Sequence, residues 1–99
     1  MKYEIIKRDT TSETTIDQGE CETYEDALEI YIDCIIDHGS DDSWLMEDYT
    51  RIKSGKNAMR YAKNMDWLRK NKTLSEQFIT PTKGKPYEIE LKVSGKEKE

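Results

Sequence analysis

From Tyr24 to Ile35 the apolar residues Tyr24, Ala27, Leu28, Tyr31, Ile32 and Ile35 recur every three or four positions. A helix gathers that spacing onto one side, whereas a strand would scatter it over both. Thr23, with Asp26 three positions later, makes a capping-box-like start, and Glu22, Glu25 and Asp26 stand where the helix dipole favours carboxylates. Gly39, just after His38, supplies a left-handed stop. The spacing predicts a helix over 24–38, and the rest of the chain must cover its apolar face.

Two other periods supply the cover. Tyr87, Ile89, Leu91 and Val93 alternate with Glu88, Glu90 and Lys92, which predicts a strand with one buried and one wet face. Gln77 to Thr80 reads as its hairpin partner, and Thr82 to Pro86 as the turn between them. Lys2 to Arg8 is short and β-branched, hence a strand, and Thr14 to Asp17 could pair back on it until the Gln18-Gly19 step. Ser40, Asp41 and Asp42 start a second helix over 41–52 with Trp44, Leu45, Tyr49 and Ile52, which Gly55 interrupts. In a third, over 56–71, Ala58, Tyr61, Ala62, Met65 and Leu68 form one face and Lys56, Arg60, Lys63 and Lys70 another. Both Trp44 and Trp67 are expected to pack in the core or between helices. The fold expected is α+β, a small antiparallel sheet (an N-terminal strand or hairpin plus a C-terminal hairpin) packed on about three helices. Residues 1–93 form one domain, with 94–99 a charged, frayed tail.

Composition matters here because the core must be lean. Leu, Ile, Val and Phe together number 17 of 99 residues, and two Trp and six Tyr supply much of the remaining buryable surface. The two cysteines, Cys21 and Cys34, do not make a secreted disulfide framework, and no stretch has the length of a signal or membrane segment. A cytoplasmic protein with no membrane partner is expected.

Charge gives the clue to function. Residues 9–50 hold fourteen carboxylates and no lysine or arginine, whereas 51–72 hold eight bases and a single acid, Asp66. Glu25, Glu29, Asp33 and Asp37 lie at four-residue steps, so carboxylates recur about every 6 Å along one ridge of the first helix. Like charges at that spacing destabilise a helix by a few tenths of a kcal/mol per pair, with no lysine here to offset them. Glu22, Glu25, Asp26, Glu29, Asp33 and Asp37, extended by Asp41, Asp42, Glu47 and Asp48, form the candidate surface for a cationic partner. Such a layout resembles that of phage and mobile-element proteins that block restriction or CRISPR machinery by occupying a DNA site. The resemblance implies an inhibitor or regulator that docks in the basic groove of a larger, nucleic-acid-handling protein.

The basic helix gives an alternative. With a Gly-containing turn before it and a hairpin tipped by Lys83-Gly84-Lys85, it resembles, at fold level, a winged helix-turn-helix DNA-binding domain. That implies nucleic-acid contacts by Lys56, Arg60, Lys63, Lys83 and Lys85. Self-association through the opposite-charge blocks is a third reading. His38 stands among carboxylates in Asp37-His38-Gly39-Ser40-Asp41-Asp42, but there is no second histidine and no calcium-loop pattern, so no metal is expected. No nucleophile and base set stands out, and neither an enzyme nor a cofactor is expected.

Overall fold

The computed structural model describes residues 1–38, 58–79 and 86–97. Strands β1 (Lys2–Arg8) and β2 (Glu13–Glu20) form a hairpin, followed by helix α1 (Tyr24–His38). Helix α2 (Ala58–Asn71) leads directly into β3 (Thr73–Ile79), which pairs with β4 (Pro86–Ser94). The four strands make one antiparallel sheet in the order β2-β1-β4-β3, so the first and last strands pair at its centre.

Local chemistry sets the junctions. The Asp9 carboxylate accepts the amides of Thr11 (2.8 Å) and Ser12 (2.7 Å), fixing the β1–β2 turn. Thr23 caps α1 as its sequence predicts, its Oγ1 accepting the Asp26 amide at 3.1 Å. At the far end of α2, Lys72 takes the left-handed conformation (φ 61°) that glycine usually fills. Its amide donates to Leu68 O (2.8 Å), its carbonyl accepts from Val93 N (2.9 Å), and its ammonium caps the Tyr24 ring and hydroxyl.

Burial follows the pleat. On β4, Tyr87, Ile89, Leu91 and Val93 are buried, and across from them stand Leu74 and Phe78 of β3 and Ile5 of β1. Ala27, Leu28, Tyr31, Ile32 and Ile35 of α1 and Met65 and Leu68 of α2 close the same core. Phe78 and Tyr87 stack with ring centroids 5.3 Å apart, and Lys7 lies over Tyr87. On the other sheet face the cross-strand neighbours are polar apart from Ile6, which is buried opposite Glu90. Arg8 there joins Glu90 (2.6 Å), Glu13 (2.9 Å) and Glu88 (3.7 Å).

The α+β class holds, but the expected count of about three helices does not: the described residues contain two. Four strands at about 4.8 Å spacing span about 19 Å, which two helices each about 10 Å wide already cover. The helix expected over 41–52, with Trp44, and the Gly39 stop lie outside the described residues. Three other expectations are corrected. Strand β2 does not stop at Gln18-Gly19 but runs to Glu20, with a bulge that adds Ile16 opposite the Ile5/Ile6 step. The first strand of the C-terminal hairpin does not begin at Gln77 but at Thr73, one residue after α2, and its partner β4 is an inner strand paired with β1 as well; the hairpin tip lies outside the described residues. Trp67 is not a core residue; it is 57% exposed.

Candidate functional site, an acidic flank of the first helix

Helix α1 turns its apolar stripe into the core, so the carboxylates between those positions face outward. Glu22, Glu25, Asp26, Glu29, Asp33 and Asp37 are all exposed. The four-residue row nonetheless divides between two surroundings. Glu25 borders a cleft of about 640 Å³ shared with Lys63 and Arg69 of α2. Asp26, Glu29 and Asp33, with Glu22, line a shallow groove of about 380 Å³ that includes no residue of α2.

Glu20, the last residue of β2, also lines that groove, together with Cys21 and Ile30. Glu20 is held there because it pairs with Lys2 while the Cys21 amide donates to Met1 O at 2.9 Å. The result is a groove lined by five carboxylates and by the apolar side chains of Cys21 and Ile30. Among the described residues Asp26, Glu29, Asp33 and Asp37 make no ion pair. Two bases of α2 have other neighbours: Arg60 reaches Glu76 of β3 (3.9 Å), and Lys70 reaches Asp66 (3.7 Å).

Behind the flank lies a thiol in a carboxylate field. Burial first, then the charges of Asp17, Asp37 and Asp33, push Cys34 up to about 11, and its Sγ lies 3.9 Å from Asp17 Oδ2. Burial likewise pushes the Cys21 thiol up. Both cysteines are free. A thiol held protonated in this way is a poor nucleophile.

Sequence reasoning placed the carboxylates of α1 on one wet ridge, and the structure keeps them exposed while separating Glu25 from the rest. Of the residues proposed to extend that surface, Asp41, Asp42, Glu47 and Asp48 lie outside the described residues, as do Lys56, Lys83 and Lys85 of the alternative reading. Arg60 and Lys63 are exposed on α2. Glu20, Cys21 and Ile30 were missed, since nothing in a helical pattern reports which strand end lies alongside. Trp67 had a signal: at 100° per residue it falls within about 60° of Arg60, Lys63 and Lys70, inside the basic sector.

Among the described residues no group of His, Cys, Asp and Glu is arranged to hold a metal ion. None of the described helices is long and apolar enough to cross a membrane. No family model, no curated protein and no solved structure matches this chain.

Proposed function

We propose that this chain is a small acidic binding protein, without catalytic activity, that presents the Glu20–Asp33 flank to the basic groove of a larger nucleic-acid-handling protein. One observation carries the reading. Asp26, Glu29 and Asp33 line a single groove, and none has a cation partner among the described residues. Mutual repulsion on the helix is retained, and an incoming row of lysines or arginines would relieve it.

The spacing suits a DNA-like role. Asp26, Glu29 and Asp33 span about 10 Å of helix axis, one per about 5 Å, of the same order as the spacing of about 3.4 Å per charge along one DNA strand. Cys21 and Ile30 in the groove lining add what phosphates lack, a place for an aliphatic or aromatic anchor. Association of this kind is steered by long-range attraction and weakens with salt.

The test is displacement of labelled duplex DNA from a panel of DNA-binding proteins. Wild type should release DNA from at least one member, and the triple variant Asp26→Asn, Glu29→Gln, Asp33→Asn should not, while folding at least as stably. Release that is equal for the two proteins, or absent throughout, sinks the proposal. Direct binding of duplex DNA at low salt, lost in Lys63→Gln, would instead support the reading based on α2.

A further inference from the structure

We infer that the exposed face of α2 docks a second copy of this chain, meeting the acidic flank of that copy's α1. Two large apolar side chains stand in water on this helix: Trp67 at 57% and Met59 at 72% exposure. Trp67 is not stranded at random. Lys63 and Lys70, the latter paired with Asp66, lie one turn before it and nearly one turn after it, so the indole sits in a row of lysines on the same helix face. An aromatic ring of this size on a charged helix is the type of residue that anchors interfaces, and its row of lysines calls for an anionic rim.

The required counterpart is on the same chain. The groove beside α1 is lined by the carboxylates of Glu20, Asp26, Glu29 and Asp33 and by the apolar side chain of Ile30. Helix α2 cannot reach it within one molecule. Met65 and Leu68 tie α2 into the core, its cleft with α1 is on the Glu25 side, and the groove has no α2 lining. The two complementary surfaces can meet only between copies.

Because the surfaces differ, the contact is head-to-tail and leaves one of each unused at the ends of every assembly, so species grow with concentration or close into a ring. Nucleic acid is the less suitable occupant of α2. The chain carries a net charge of −5, and a polyanion arriving at α2 would be repelled by the carboxylates of its neighbour α1. The contact between copies does not depend on the partner proposed above. Where both hold, copy and partner compete for one flank.

Analytical ultracentrifugation with two complementary variants tests this. One carries Asp26→Asn, Glu29→Gln and Asp33→Asn; the other carries Lys63→Glu and Trp67→Ala. Wild type at low salt should show a weight-average mass that climbs with concentration and returns to the monomer value in about 1 M salt, where screening acts over about 3 Å. Each variant alone should remain monomeric. Their equimolar mixture should give dimers and nothing larger, since each supplies the surface the other lacks, which also shows that both are folded. A wild type that stays monomeric at every concentration in low salt overturns the inference, as does a mixture without dimers. Binding of a labelled single-stranded oligonucleotide that is abolished by Lys63→Glu/Trp67→Ala, with wild type monomeric, would assign the face to nucleic acid instead.

Discussion

The Tyr31 hydroxyl, at the centre of α1, donates to the carbonyl of Ile89 on β4 at 2.6 Å, joining helix and sheet across 58 residues in a fully buried setting. Burial drives the phenol's pKa well above its ordinary value, so it remains a donor throughout the accessible pH range. Tyr31→Phe keeps the ring and removes only this bond. It should cost about 1 kcal/mol in urea unfolding at an unchanged m-value, whereas Tyr31→Ala should cost about 3–5 kcal/mol by emptying the core. A phenylalanine variant as stable as wild type would show that the bond is not stabilising.

Acid stability should follow Glu90 and Asp9. Burial pushes the Glu90 carboxyl up, but hydrogen bonds from Arg8 (2.6 Å) and Thr73 (3.0 Å) outweigh it and hold the group below its ordinary value. The backbone amides of Thr11 and then Ser12 hold Asp9 at about 2. For a carboxylate depressed in the folded state, stability is fully present above the unfolded pKa, about 4, and is lost as pH falls through the folded one. Unfolding free energy should therefore be flat from about pH 5 to 8 and fall between about pH 4.5 and 2. Glu90→Gln should lose about 1 kcal/mol at pH 7 and show a shallower decline in acid. Parallel wild-type and variant curves would exclude this role for Glu90.

Lys72 sets two effects against each other. Its left-handed backbone costs about 1–2 kcal/mol in a non-glycine residue, while its ammonium returns a contact with Tyr24 of about 0.5–1 kcal/mol. Lys72→Ala keeps the strain and loses the contact, so thermal unfolding should show a loss of about 1 kcal/mol. Lys72→Gly loses the contact but relieves the strain, and should match or exceed wild type. The opposite order of the two variants would refute the assignment of strain.

Alkylation of the thiols should report the fold. With Cys34 at about 11, little thiolate exists at pH 8. Iodoacetamide labelling of Cys34, followed by mass spectrometry, should be on the order of 100-fold slower in the native chain than in urea. Equal rates would mean that this part of α1 opens readily.

What could be read from the residues depended on whether a segment shapes itself or is shaped by a neighbour. Helix α1 was legible to the residue because its stripe and its Thr23 cap agree. Strand β4 was legible because it alternates cleanly. Strand β2 carries one aliphatic residue, Ile16, in an otherwise polar stretch, and forms because β1 offers it a ladder; its length therefore had no local signature. The start of β3 was hidden for a related reason, since the stop after α2 is a lysine and not the expected kind of residue. The acidic ridge was visible, but its division was not. Which flank of α1 receives α2 is decided by the sheet, and only that separates Glu25 from Asp26.

A single residue, Lys72, separates Asn71 of α2 from Thr73 of β3, and its amide and carbonyl are bonded to Leu68 and Val93. There is no linker there to absorb motion. Helix α2 is thus a rigid arm bolted to the sheet edge, and a pull on Trp67 is delivered to the β3–β4 ladder rather than taken up by a hinge. Inserting even one glycine at this joint would leave α2 held by its core residues Met65 and Leu68 alone, weakening the coupling between whatever docks on the helix and the mechanical state of the sheet.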